Sequence, residues 1–150
     1  MMKSIPVWKQ ELSDGVHAAR LASLYCCTPA ETASEAARYA AVLDGLEKTF
    51  GSHAEAGLYS APGRTEIGGN HTDHQHGRVL AGSVNIDMIA AAAPNDKNQL
   101  RVQSEGYDLC VIDLNDLEAR KEEENTTASL LRGECAAFTQ RGAKLAGLDV

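Results

Sequence analysis

The chain predicts an α+β fold, a mixed and largely antiparallel sheet with flanking helices. Three observations carry this. Apolar residues fall at helical spacing near both ends, strand-like runs fill the middle, and turn residues separate those runs at hairpin intervals.

The elements follow in order. Val7 to Leu24 reads as one helix with Trp8, Leu12 and Val16 on one side, although Gly15 weakens it. The second helix has a Thr28 N-cap, Pro29 at the first helical position and Glu31 three residues after the cap, a capping box with the favoured proline. Ala33, Ala36, Ala37, Ala40, Leu43, Leu46 and Phe50 then keep helical spacing, and Gly51 is the expected C-cap. Gly57 to Ile67 reads as a strand, and Val79 to Ala93 as another, bent or split near Gly82-Ser83. Leu100, Val102 and Ser104 alternate with polar neighbours, and Leu109 to Leu114 is almost continuously apolar. Pro94-Asn95-Asp96, Glu105-Gly106 and Asn115-Asp116 punctuate these strands. A charged run from Glu118 to Asn125 leads into a last helix. Leu131, Cys135, Phe138 and Leu145 line its inner face, and Gly147 ends it. A further strand is expected to begin at Leu148-Asp149-Val150.

Composition narrows the function classes. A chain of 150 residues fits one domain with a real core, and 43% apolar with 23% charged residues is ordinary for a globular protein. Aromatics are 5%, so the core is expected to rest on Leu, Val, Ile and Ala. With 14 basic against 21 acidic side chains the net charge is -7, which argues against nucleic acid as a partner. No run approaches the roughly 18 to 20 apolar residues that cross a bilayer, so no membrane partner is expected. Lys3, Lys9, Glu11, Asp14 and Arg20 interrupt the amino-terminal stretch, which therefore lacks a secretory pattern. Cys26, Cys27, Cys110 and Cys135 show no Cys-x-x-Cys spacing, and the adjacent pair is poor disulfide geometry. Reduced thiols in a cytoplasmic protein are the expectation.

Chemistry concentrates between Ala61 and Gly77. Ala61-Pro62-Gly63-Arg64 is followed by Gly68-Gly69-Asn70-His71-Thr72-Asp73-His74-Gln75-His76-Gly77, between two apolar segments. Glycines there let the backbone turn tightly and approach a ligand. Three readings compete. His, Asn, Asp and Gly are turn formers, so the segment can be a solvated hairpin loop. His71, Asp73, His74 and His76 can ligate zinc or a similar ion, as in a metal-dependent hydrolase, although His17 and His53 supply no second cluster. Finally, Asn, Asp and a neutral His can hydrogen-bond neighbouring sugar hydroxyls, with Arg64 adding a fixed positive charge for an anionic group.

These residues carry a resemblance. Ala61-Pro62-Gly63-Arg64, Gly69, His71-Thr72-Asp73, Gly77 and Val79-Leu80 resemble the galactokinase signature Ala-Pro-Gly-Arg-Val-Asn-Leu-Ile-Gly-Glu-His-Thr-Asp-Tyr and the glycine turn after it. Phe50-Gly51 and Asn85-Ile86-Asp87 also sit where that family places similar residues. The resemblance implies the amino-terminal part of a galactokinase-type kinase fold, with residues 1–150 a sugar-recognition domain truncated relative to a full-length kinase. It implies ATP-dependent phosphorylation of galactose or a related hexose at the anomeric hydroxyl, in a cytoplasmic protein of carbohydrate metabolism. His71 and Asp73 would hydrogen-bond the sugar hydroxyls, and Arg64 would stand by the anomeric hydroxyl and the transferred phosphate as the catalytic residue. Asn70 occupies the position of a sugar-binding Glu, removing a charge and adding a donor, so a different or relaxed hexose specificity is implied. Glu66, Gly68, His74 and His76 depart from the signature as well.

The family holds ATP with Mg²⁺ on a Pro-x-Gly-x-Gly-Leu-Ser-Ser-Ser-Ala loop, followed by a catalytic Asp. Neither occurs in the 150 residues, and the loop is expected soon after Val150. ATP and Mg²⁺ are therefore expected as cofactors of the full-length enzyme, with none and no metal in this chain, which alone should be inactive. A non-catalytic galactose sensor related to the family is the alternative that the departures at Asn70 and His74 keep open.

Overall fold

A computed structural model of the chain describes residues 1–69 and 76–150. The elements run β1 (Met2–Lys3), α1 (Ile5–Ser13), α2 (Ala18–Tyr25), α3 (Thr32–Phe50), β2 (Ala56–Gly68), β3 (Leu80–Pro94), β4 (Gln99–Val102), β5 (Cys110–Asp113), α4 (Thr127–Gln140) and β6 (Leu148–Asp149). Among the described residues the six strands form one sheet in the order β1-β2-β3-β6-β4-β5. β6 is antiparallel to β3 and parallel to β4, and β4 is antiparallel to β5, so the sheet is mixed and the fold is α+β. The chain divides into two compact units. One comprises Met1–Ile5, Leu43–Gly57 and Ala91–Val150, and the other Pro6–Val42 and Leu58–Ala90.

In the first unit, β1 pairs with the start of β2 at Met2↔Gly57 and Lys3↔Ala56. The strand expected after the last helix forms as β6, held by Ala93↔Asp149 on one side and Leu100↔Leu148 on the other. Ala91, Ala92 and Ala93 are all buried, so both faces of β3 are covered at this end, and Leu43, Leu46 and Ile112 are buried in the same unit. Gly147 has a packing role here. A Cβ on it would stand 2.1 Å from Oδ1 of Asn95 and 2.7 Å from that residue's backbone oxygen. It therefore does not end the last helix. α4 stops at Gln140, two residues before Gly142, which adopts φ +86, and Leu145 lies beyond it. Nor does Phe138 face inward, being 52% exposed. The buried positions of α4 are Arg132 and Cys135.

Arg132 can be buried because the charged run supplies its partner. A turn of 3-10 helix at Lys121–Glu123 places Glu123 so that both carboxylate oxygens accept from Arg132, each at 2.7 Å.

In the second unit the single amino-terminal helix expected from the spacing is two. Gly15 adopts φ +72, which ends α1, and the chain turns at 14–17 before α2 starts at Ala18. α3 begins at Thr32, later than Pro29, because residues 29–31 form a turn. Only the Glu half of the capping box is made: the Glu31 carboxylate accepts from the Thr28 amide at 2.7 Å and its hydroxyl at 2.8 Å. Gly51, at φ +87, closes α3 as expected. β3 runs unbroken through Gly82-Ser83. The core also differs from expectation. Trp8, Tyr25 and Tyr39 are buried, as are Leu12 and Leu21, while no valine is among the buried described residues.

Candidate functional site

The second unit holds the β2–β3 ribbon and the segment between its strands. Arg64 lies on β2, exposed, four residues before Gly68. Asn70, His71 and Asp73 lie outside the described residues, as do Thr72, His74 and Gln75. The structure describes the two ends of that segment. Gly69 adopts φ +108, and a Cβ on it would fall 2.4 Å from the carbonyl oxygen of Arg78 and 2.7 Å from Cα of Val79. Two backbones thus meet where only glycine fits, and this contact is the neck through which the chain leaves β2 and returns toward β3. His76, the first described residue of the return, adopts φ +62.

Gly63 meets a milder version of the same constraint. Its Cβ would lie 3.1 Å from both the backbone oxygen of Ile86 and Cγ2 of Val84. β2 and β3 are therefore in close contact one residue before Arg64.

Sequence reasoning gave no role to the most polar buried cluster of this unit. The Asp87 side chain is 2% exposed and accepts three hydrogen bonds. Ser60 on β2 donates at 2.5 Å, the Tyr25 hydroxyl at the end of α2 at 2.5 Å, and Nη2 of Arg38 on α3 at 2.8 Å. Since the one Tyr25 hydroxyl proton goes to Asp87, the Tyr39 hydroxyl donates in turn to Tyr25 at 2.8 Å. Burial pushes the Asp87 carboxyl up, and the bonds from Ser60, Tyr25 and Arg38 outweigh this, leaving it below the usual carboxylate range. Burial and the adjacent Asp87 raise the Tyr25 phenol. The signal in the sequence was a lone carboxylate within an otherwise uncharged strand, Leu80 to Ala93.

A second buried carboxylate, Asp149, organises the first unit. Its side chain is fully buried and accepts from Nε of Arg101 at 2.6 Å, Nη2 of Arg101 at 2.5 Å, Nδ2 of Asn95 at 2.6 Å and Nε2 of His53 at 2.9 Å. Arg101 also stacks over the Phe50 ring, 4.8 Å from its centroid.

For the metal reading, no group of three or more His, Cys, Asp or Glu gathers among the described residues, and three of its four ligands lie outside them. All four cysteines are free. No helix among the described residues is long and apolar enough to cross a membrane.

Comparison with known proteins places this geometry. Residues 46–94, from the end of α3 through β3, match the galactokinase galactose-binding signature. A galactokinase of Ligilactobacillus salivarius (strain UCC118) is 35% identical over 83 residues, covering 53% of this chain and 21% of the relative. One from Streptomyces coelicolor is 28% identical over 105 residues, covering 70% of this chain and 27% of the relative. The chain thus spans about a quarter of the length of the curated relatives it matches. The crystal structure of Lactococcus lactis galactokinase complexed with galactose has the same fold over 71% of this chain and 28% of its own, with a TM-score of 0.62 at 22% identity. Through residues 46–94 the chain carries the galactose-binding signature of the galactokinases, the family it resembles in sequence and in fold.

Proposed function

We propose that this chain is the sugar-recognition portion of a galactokinase-type kinase that phosphorylates galactose or a related hexose at the anomeric hydroxyl. The observation that carries the reading is the β2–β3 ribbon. It presents Arg64 beside a glycine neck, inside the span that matches the galactose-binding signature.

The chemistry assigned to the site is positioning and charge stabilisation. Asp73 and His71 grip sugar hydroxyls, the carboxylate accepting only and the imidazole accepting or donating. The Arg64 guanidinium stands by the reacting hydroxyl, where its fixed charge offsets the negative charge of a phosphoryl group. Asn70 offers a neutral amide where the family has a carboxylate, which changes the hydroxyl pattern the site selects.

Nucleotide is a different matter. None of the four α-helices among the described residues follows a glycine-rich loop, and the Gly68-Gly69 pair ends a strand. These residues do not fit a triphosphate, so ATP and Mg²⁺ are assigned to the remainder of a longer protein. The isolated chain is then expected to be inactive, and free thiols agree with a cytoplasmic setting.

Calorimetric titration with galactose tests the sugar assignment, and an Asp73→Ala variant should bind about ten- to a hundredfold more weakly, as loss of a hydrogen bond to a charged group requires. Binding unchanged by that substitution would remove Asp73 from the site. Incubating the isolated chain with ATP, Mg²⁺ and galactose should release no ADP above background, and steady turnover refutes the division of labour. Asn70 also favours a second reading, a galactose sensor without kinase activity. Turnover by the full-length protein decides between the two.

A further inference from the structure

A carboxylate buried in a strand needs partners, and Asp87 takes its three from three different elements, β2, α2 and α3. The link to β2 bears on Arg64. Ser60 and Arg64 are four residues apart on one strand, an even spacing that sets them on the same face. Between them, a Cβ on Gly63 would stand 3.1 Å from the backbone oxygen of Ile86, the residue next to Asp87. The two strands are thus tied at Ser60–Asp87 and run close together at Gly63, immediately before Arg64.

We propose that Asp87 is a positioning residue for the sugar site: through Ser60 it fixes β2 against β3 and the helices, and so sets where the Arg64 guanidinium stands. The proposal rests on the sugar-kinase reading of Arg64. An apolar side chain at position 87 would fill the same space without directional bonds. Three hydrogen bonds arriving from three elements specify one arrangement, because any slide of β2 stretches the bond from Ser60. A slip of one residue would turn Arg64 to the opposite face. Sub-ångström misplacement of a group beside the reacting atoms is costly, since near-attack geometry tolerates little error.

The test uses the full-length protein that carries this chain, assayed with galactose, ATP and Mg²⁺. Ser60→Ala cuts only the tie to β2, and Asp87→Asn removes the charge that also holds Arg38. Both should lower kcat by about tenfold or more. KM for galactose should stay within about threefold of wild type, because Arg64 acts on the transition state more than on the bound sugar. Ser60→Thr restores a hydroxyl and should recover most of kcat. Unchanged kcat in Ser60→Ala, a loss confined to KM or to melting temperature, or no recovery in Ser60→Thr overturns the proposal, whether or not Asp87→Asn folds. A wild-type protein that does not phosphorylate galactose overturns the kinase reading, and this inference with it. An active wild type with unaffected variants overturns the inference alone.

Discussion

Replacing Asp149 by alanine should destabilise the chain more than most substitutions away from its apolar core. Its carboxylate is fully buried and answers Arg101 twice, Asn95 once and His53 once. Removing one partner of a buried ion pair costs about 3–5 kcal/mol, because the charge left behind has lost its water and its counter-ion. Arg101 keeps 15% and His53 10% of its side-chain surface in solvent, so some rehydration is open to both, and about 3 kcal/mol is the expected value. For a chain of this length each kcal/mol moves the melting temperature by roughly 2–4 °C, which gives a fall of about 6–12 °C.

Scanning calorimetry of wild type, Asp149→Ala and Asp149→Asn near neutral pH measures it. The amide variant is the sharper probe. Asn retains an acceptor for Nε of Arg101 and for Asn95, yet turns its NH₂ toward the donors of Arg101 and His53. It should therefore recover little of the loss. A fall under about 2 °C for both variants would show that the cluster is solvated and that the burial argument fails.

Acid should act through the same carboxylates. Burial pushes Asp149 up, but hydrogen bonds from Arg101, His53 and Asn95 dominate and hold it below its ordinary range, as the bonds to Asp87 do there. Folded values below the unfolded one mean that this stability is complete above about pH 4 and disappears as pH falls through the folded values. Melting curves from pH 7 to pH 2 should steepen below about pH 4 and flatten in Asp149→Asn; parallel curves would remove Asp149 from the acid transition. Gly69→Ala puts a Cβ 2.4 Å from the oxygen of Arg78 at φ +108, a strain of roughly 1–3 kcal/mol before any repacking. Urea titration should show a lower midpoint, and an unchanged one would mean that the neck opens freely. Arg64→Ala, at an exposed strand position, should shift stability by no more than about 0.5 kcal/mol while lowering full-length turnover by about a hundredfold or more. Stability and turnover falling together would argue for a structural Arg64.

Much of the fold was legible because local chemistry wrote it. α3 keeps its apolar spacing and stops at a glycine with the positive φ its position demands, although its capping signal at Thr28-Pro29 lies in a turn before the helix starts at Thr32. The amino-terminal helix was misread because apolar spacing continued across Gly15, and periodicity does not register one residue in the left-handed region. The far end of α4 failed for the same reason: Leu145 keeps apolar spacing past Gly142, where the helix has already ended. β1 pairs with Ala56 and Gly57, more than fifty residues away, and two residues carry no period at all. The candidate site divides likewise. Arg64 and the glycine neck were visible as a motif, whereas the Asp87 cluster draws on positions 25, 38, 60 and 87, whose meeting depends on packing between elements.

The neck also changes what the motif is worth as a functional argument. A signature mixes residues that a ligand requires with residues that the chain itself requires, and only the former speak for the ligand. Gly69 is demanded by its own φ and by the backbone of Arg78 and Val79, and a Cβ at Gly63 would be tight against Ile86 and Val84, with no sugar present. Any hairpin crossing as Gly69 does would select glycine there. Arg64 differs, since an exposed guanidinium on a strand meets no requirement of the fold. The weight of the sugar reading therefore falls on Arg64, His71 and Asp73, and on Asn70 as the departure from the family. Substitutions at Asn70, His71 and Asp73 should alter which hexose is bound, whereas Arg64→Ala should lower turnover with little change in sugar binding.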